Sequence, residues 1–338
     1  MPRRPGNRVV RRRLDARSVI ELDADRIKTS KPTVTDHAKL FVLAVIVILV
    51  AGALLLMLPL ATDEGRSTNF IDALFTSISA FSVTGLSIVD TDLHWSLFGE
   101  IVILVLIQIG GLGRGSSLRA NMMMQDGSPT MTLREASSLS RKIVRFMAIA
   151  EAIGAVILAA FFMRTESILT SIWWGIFHSV SAFCNAGMGL RGDVLSDDQR
   201  TNSVVFLVTI AGLIQLGALS YMVLSDVWKH RAWKPLALDS KLVLIMNFVV
   251  ISVSVALFLA VEWNTALVDV DTGMKPVNAI FEAVASRTSG FSSIDWGEAN
   301  SSSLYLWIAV MMIGGAAGST TGGVKLATVA IIVMAVTS

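Results

Sequence analysis

Three glycines carry the chemistry to be explained. The segments FTSISAFSVTGLS (75–87), FHSVSAFCNAGMG (177–189) and FEAVASRTSGFSS (281–293) align on Gly85, Gly187 and Gly290, which lie 102 and 103 residues apart. The third needs a one-residue gap between its phenylalanine and its glycine. A bare alkali cation crosses a membrane only where something replaces its hydration shell, and inward-aimed backbone carbonyls do this without a fixed charge. Such carbonyls need extended or left-handed backbone, which glycine adopts without steric penalty. Val83, Thr84 and Gly85, then Asn185, Ala186 and Gly187, then Thr288, Ser289 and Gly290 therefore read as three arcs of one cation-coordinating filter. Thr84, Asn185, Thr288 and Ser289 add side-chain oxygens or brace the loops. Small residues also let helices pack in membranes. That accounts for one glycine, but poorly for three in equivalent positions of a repeat.

The elements that must hold these arcs follow from hydropathy. With 53% hydrophobic and 16% charged residues, the chain reads as an integral, all-α polytopic membrane protein. Runs long enough to cross about 30 Å of hydrocarbon, which takes about 20 residues, lie at 38–60, 143–163, 203–228 and 241–262. Two more, 96–113 and 303–338, are interrupted by glycines. Each repeat orders a spanning helix, a charged linker, a short segment ending at the glycine, and a second helix with small residues. A segment of about ten residues rises only about 15 Å, so it must enter the membrane and return. Non-helical backbone at that depth is tolerated where protein buries it or where it lines a watery cavity. The short helices should aim their C-terminal ends at the pore, where their dipoles favour a cation. The expected organisation is a basic arm (1–37), pore repeat 1 (38–113), a linker (114–142), pore repeat 2 (143–228) and pore repeat 3 (241–338).

Charge gives the orientation. Eleven Lys or Arg precede residue 40, six lie in 114–145 and four in 229–241, whereas the remaining linkers hold five against twelve acidic residues. The positive-inside rule puts the basic segments and the N-terminus in the cytoplasm and the filter loops outside. The arm lacks the apolar core of a cleaved signal peptide and suits anionic lipid better than nucleic acid. Cys184 is the single cysteine, which excludes an intrachain disulfide framework and reads as a small packing residue.

GGAAGSTTGGVK (314–325) is not a phosphate-binding loop, because Val324 separates Gly323 from Lys325, no Ser or Thr follows that lysine and both flanks are apolar. Nor does it favour a continuous helix, since each interior glycine costs about 1 kcal/mol relative to alanine. Among polar residues in apolar runs, Glu151, His178 and Glu282 are functional hypotheses by default. His178 and Glu282 are expected at the starts of the short helices in outward-facing structural roles. Gln108 and Gln215 are expected to hydrogen-bond between helices, and Arg287 to tether the adjoining filter loop or tune its field. No metal-ligand spacing, nucleophile elbow or buried charged dyad points to an enzyme.

SVTGLSIVDT (82–91), IQIGGLG (107–113), AFCNAGM (182–188), SRTSGF (286–291) and GGAAGSTTGGVK (314–325) resemble motifs of the Trk/Ktr/HKT superfamily of potassium transporters, from about residue 38 onward. The layout is most similar to the Ktr-type membrane subunit. The resemblance implies tandem parallel helix–pore loop–helix repeats around a pseudo-fourfold pore in the cell membrane, with potassium uptake down its gradient and no covalent cofactor. It implies that Gly314, Gly315, Gly318, Ser319, Thr320, Thr321, Gly322 and Gly323 form an intramembrane gating loop. Lys325 then stands near the inner end as a gate contact or a snorkelling anchor. Glycine at all three filter positions favours potassium over sodium, with a sodium dependence left open. The resemblance also implies a homodimer, in contact with membrane lipids and with a cytosolic nucleotide-binding regulatory subunit. Two departures stand out. The family has four repeats and three are present here, so the sequence is expected to be a fragment, or its open side is filled by another chain. RGSSLRANMMMQDGSP (114–129) is short and polar for the family. The competing expectations are a sodium-permeable relative, a non-conducting membrane scaffold, and a secondary transporter. The last would predict inverted repeats, whereas an even number of spans separates these.

Overall fold

The computed structural model describes residues 34–125, 133–190 and 202–337. The basic arm up to residue 33, the linker tip 126–132 and the acidic segment 191–201 lie outside the described residues. The chain divides into two compact units, Met1–Val47 and Ile48–Ser338. The described residues of the first are the opening turns of helix α1 (Val34–Leu56). All contacts below lie within the second.

After α1 come α2 (Phe70–Ser82), α3 (Leu97–Gln125), α4 (Leu133–Phe162), α5 (Ile168–Cys184), α6 (Val204–Ala218), α7 (Ser220–His230), α8 (Leu238–Glu262), α9 (Lys275–Thr288), α10 (Ser301–Met311) and α11 (Leu326–Thr337). Three of these, α1, α4 and α8, are long and apolar enough to cross a membrane. Ile149, Ile153 and Val156 on α4, and Phe248, Val249 and Val253 on α8, stay exposed. Such continuous apolar faces suit hydrocarbon, not water. The chain is a multi-pass membrane protein.

The order of long helix, short helix and further apolar helix recurs three times. The short members, α2, α5 and α9, have 13, 17 and 14 residues, longer than the expected ten yet shorter than a span. Each packs closely on part of its surface and leaves apolar residues such as Ile78, Ile172 and Ile280 exposed. A Cβ on Gly175 of α5 would stand 2.6 Å from the Ala155 carbonyl oxygen of α4, so only glycine lets these two helices approach so closely.

Two expectations are corrected. The run 203–228 is not one straight span: α6 and α7 meet at an angle of 97°. At the corner Ser220 takes a left-handed backbone, φ 66°, and its hydroxyl accepts from Met222 N at 3.2 Å, starting α7. The glycine-containing run 96–113 is uninterrupted, because α3 continues through Gly110, Gly111 and Gly113 to Gln125, and α4 begins at Leu133. Much of the expected linker is therefore helical.

Candidate cation-coordinating site

Helices α2 and α5 end identically. Val83 and Asn185 are left-handed caps, φ 53° and 62°. Val83 N donates to Ala80 O at 3.1 Å and Thr84 N to Ser79 O at 3.0 Å, while Asn185 N donates to Ala182 O at 3.1 Å and Ala186 N to Ser181 O at 2.7 Å. These paired bonds satisfy carbonyls that the helix end orphans. A β-branched valine in this region is strained, and such strain gathers at functional sites. The third repeat differs. Ser289 is right-handed, and Ser289 N and Gly290 N both donate to Ala285 O, at 2.8 and 3.1 Å. The residue missing from the third segment is thus the left-handed cap itself, and α9 winds on to Thr288.

All three segments then turn through a glycine with positive φ: 79° at Gly85, 68° at Gly187 and 87° at Gly290. The turns are brought together. A Cβ on Gly85 would run into the Ala186 carbonyl oxygen, and one on Gly187 into the Ser289 carbonyl oxygen, whereas one on Gly290 would meet nothing within 4 Å. The arcs therefore adjoin in chain order, first to second and second to third. The C-terminal ends of α2, α5 and α9, with their partial negative charge, converge on the same place.

Side chains fix the outgoing strands. Ser181 Oγ donates to Met188 O at 2.6 Å. Glu282 Oε1 accepts from Ser293 N at 2.5 Å, Ser293 Oγ at 3.0 Å and Ser292 Oγ at 3.1 Å. Sequence reasoning placed Glu282 and His178 facing outward at helix starts. Both lie mid-helix and fully buried, His178 with Nδ1 2.8 Å from Trp174 O. The correction has a physical reason: His178 and Glu282 lie on the faces of their helices that pack against neighbouring elements, while Ile176 and Ile280 on the same helices stay exposed. Ser181, Ser292 and Ser293 were not singled out, although serine stands in the quoted segments at each position.

The glycine-rich segment 314–325 is a closed loop between α10 and α11. Its neck is a parallel bridge, with Gly314 N donating to Val324 O and Val324 N to Met312 O, both at 2.9 Å. Ser319 and Thr321 hydroxyls meet at 2.7 Å inside it, Gly315 N donates to Thr321 Oγ1 at 2.9 Å, and Lys325 Nζ donates to Thr321 O at 2.7 Å. Lys325 is thus a contact of the loop. The break between α6 and α7 frees the carbonyls of Gly217 and Ala218, and the loop takes them: Ala316 N donates to Ala218 O at 2.9 Å and Thr320 N to Gly217 O at 3.2 Å. A small cavity beside it is lined by Gly111, Phe146, Phe183, Tyr221 and Ser319 among others.

Behind the arcs, polar side chains pair between helices as expected. Gln108 Nε2 lies 3.2 and 3.3 Å from the Glu151 carboxylate oxygens, and Cys184 packs beside the same carboxylate, Sγ to Oε1 4.0 Å. Asn247 Nδ2 donates to Gln215 Oε1 at 3.1 Å, and Arg287 Nη1 donates to Asn247 Oδ1 at 3.0 Å. Arg287 therefore ties α9 to α8 rather than to the loop beside it. Replacing Glu151 by Ala should lower stability by about 2 kcal/mol, since it opens space and strands the Gln108 amide. Glu151→Gln should cost less than about 1 kcal/mol. Thermal unfolding of the purified variants reads the difference, and equal melting temperatures would contradict it.

The sequence profile of the TrkH family, described as a cation transport protein, matches residues 45–338. The chain belongs to the TrkH family. It is 34% identical over 302 residues to the potassium/sodium uptake protein NtpJ of Enterococcus hirae, covering 85% of this chain and 66% of that one. It is 34% identical over 328 residues to the Ktr system potassium uptake protein B of Vibrio alginolyticus, covering 92% and 70%. The crystal structure of the potassium transporter TrkH from Vibrio parahaemolyticus superposes with a TM-score of 0.69 at 19% identity, over 91% of this chain and 62% of that one. The fold is thus that of TrkH. The chain spans about two thirds of the length of these relatives.

Proposed function

We propose that this TrkH family member takes up potassium across the cell membrane through a channel-like pore. The observation that carries the reading is the meeting of three positive-φ glycine turns at the C-terminal ends of three short helices. Backbone carbonyls of Val83, Thr84 and Gly85, of Asn185, Ala186 and Gly187, and of Thr288, Ser289 and Gly290 replace the ion's hydration shell. In a pseudo-fourfold pore the open side at Gly290 belongs to a fourth arc. The loop 314–325 closes the path beneath the arcs, stitched by its own hydroxyls and by α6. The basic segments put the N-terminus in the cytoplasm and the arcs outside. The protein acts as a homodimer in the lipid bilayer. A cytosolic nucleotide-binding subunit docks on its basic inner surface, a reading supported by relatives named as parts of a Ktr system.

A second reading, sodium permeation, is favoured by NtpJ being named a potassium/sodium uptake protein. One experiment separates the two. The full-length protein, expressed in cells stripped of their own potassium uptake, is expected to restore growth at low potassium and to drive potassium uptake that sodium does not match. Uptake of sodium at an equal rate favours the second reading. Neither ion entering, with the protein in the membrane, overturns both.

A further inference from the structure

One buried side chain joins the second arc to the third, to the glycine-rich loop and to α6. The Asn185 amide Nδ2 donates to Thr320 Oγ1 of the glycine-rich loop at 3.0 Å and contacts Ile214 O of α6 at 3.4 Å. Its Oδ1 accepts from Thr288 Oγ1 of the third arc at 2.8 Å. Thr320 Oγ1 in turn donates to Phe183 O, at the end of α5, at 3.2 Å, and Asn185 Nδ2 lies at the same distance from that oxygen. Asn185 is 1% exposed and Thr320 6%. A Cβ on Gly217 would press on Asn185 Nδ2 and Thr320 Oγ1, each at 2.8 Å, so no side chain separates the cluster from α6. The bonds are few, buried and reciprocal, which raises the cost of leaving any of them unmade.

We infer that Asn185 is a coupling residue: its amide locks the glycine-rich loop to the second and third arcs, so the loop cannot be displaced without loosening the arcs. The inference rests on the pore reading and extends it. Moving the loop breaks the Thr320 bonds to Asn185 and to Phe183 O. Asn185 then keeps Thr288, α6 and Phe183 O as partners, and the left-handed cap loses the side-chain bond that ties it to the loop. By linkage, an ion that orders the arcs must hold the loop shut more firmly, and a displaced loop must weaken the arcs' grip on the ion. Gating and selectivity are then one equilibrium. Neither end of this contact carries a local signal for the other, since 135 residues separate Asn185 from Thr320.

The test uses the full-length protein in vesicles, with hydrogen exchange of peptides over 183–188 and 314–325 and with potassium and sodium flux. Thr320→Val lies in the loop, yet it is expected to speed exchange at 183–188 by about tenfold, the scale of one lost buried hydrogen bond, and to lower the potassium-to-sodium flux ratio. Thr320→Ser, which keeps the hydroxyl, restores both. In the unsubstituted protein potassium slows exchange at 314–325, and Asn185→Ala removes that response. The double variant is no worse than Asn185→Ala alone. If Thr320→Val loosens its own loop and leaves 183–188 and the flux ratio unchanged, the coupling is overturned. If the unsubstituted protein passes no cation while the cross-effects on exchange persist, the pore reading falls and the coupling stands.

Discussion

A chain carrying Gly187→Ala is expected to reach the membrane and to take up potassium about 100-fold more slowly than the unsubstituted protein, a loss equivalent to about 2.7 kcal/mol. The backbone at Gly187 has φ 68°, where an L side chain costs roughly 1–2 kcal/mol. The larger effect is steric. The new Cβ would collide with the Ser289 carbonyl oxygen and stand 3.2 Å from the Gly290 carbonyl carbon. Both belong to the neighbouring arc, so relief of the clash moves the oxygens that are to face the ion. Gly85→Ala should do the same through the Ala186 carbonyl oxygen. Gly212 supplies the contrast: it lies inside α6, is exposed, and a Cβ there meets nothing within 4 Å. Gly212→Ala should leave uptake unchanged and add up to about 1 kcal/mol of helix stability. Uptake normalised to membrane abundance distinguishes the three. Full uptake with unchanged ion preference in Gly187→Ala would remove the glycine turns from the conduction path.

How far the site was legible in the sequence depends on whether its determinants are local. The 102-residue spacing of Gly85 and Gly187 reappears as two helix ends with the same cap and the same pair of backbone bonds. The gap in the third segment reappears as the absent left-handed cap before Gly290. Cap geometry is written within five residues, so a repeat in sequence becomes a repeat in backbone. The corner between α6 and α7 was not legible. Its residues, Ala218, Leu219 and Ser220, are ordinary in an apolar span. What stabilises the break is a loop 100 residues on, whose Ala316 and Thr320 amides take the released carbonyls. The burial of His178 and Glu282 was missed for the same reason. Hydropathy sees a polar residue in a short helix, but not the neighbouring elements that pack against its face. Asn185 was legible as an oxygen donor or a brace, and the brace is what its contacts describe.

Glu282→Ala should be the most damaging change outside the glycines. The Glu282 side chain is fully buried, and one oxygen gathers the Ser293 amide and the Ser292 and Ser293 hydroxyls. Alanine leaves these donors in a site with little access to water. An unpaired buried donor costs about 1–3 kcal/mol, and the vacated volume adds to this because packed helices relax only partly. The two serines can turn their hydroxyls to other acceptors, but the Ser293 N–H is fixed by the chain. The total loss is therefore expected at about 3 kcal/mol. It falls on the strand leaving Gly290, so potassium uptake should drop further than protein abundance does. Glu282→Gln keeps a carbonyl oxygen where the three donors converge and should recover most of the stability. Whether it also recovers uptake separates shape from charge. Recovery of both means the carboxylate works as a brace, through its geometry. Recovery of stability alone means its charge contributes to the field at the third arc, which the potassium-to-sodium flux ratio of Glu282→Gln would then register. Wild-type uptake and melting temperature in Glu282→Ala would show that Ser292 and Ser293 hold the strand without it.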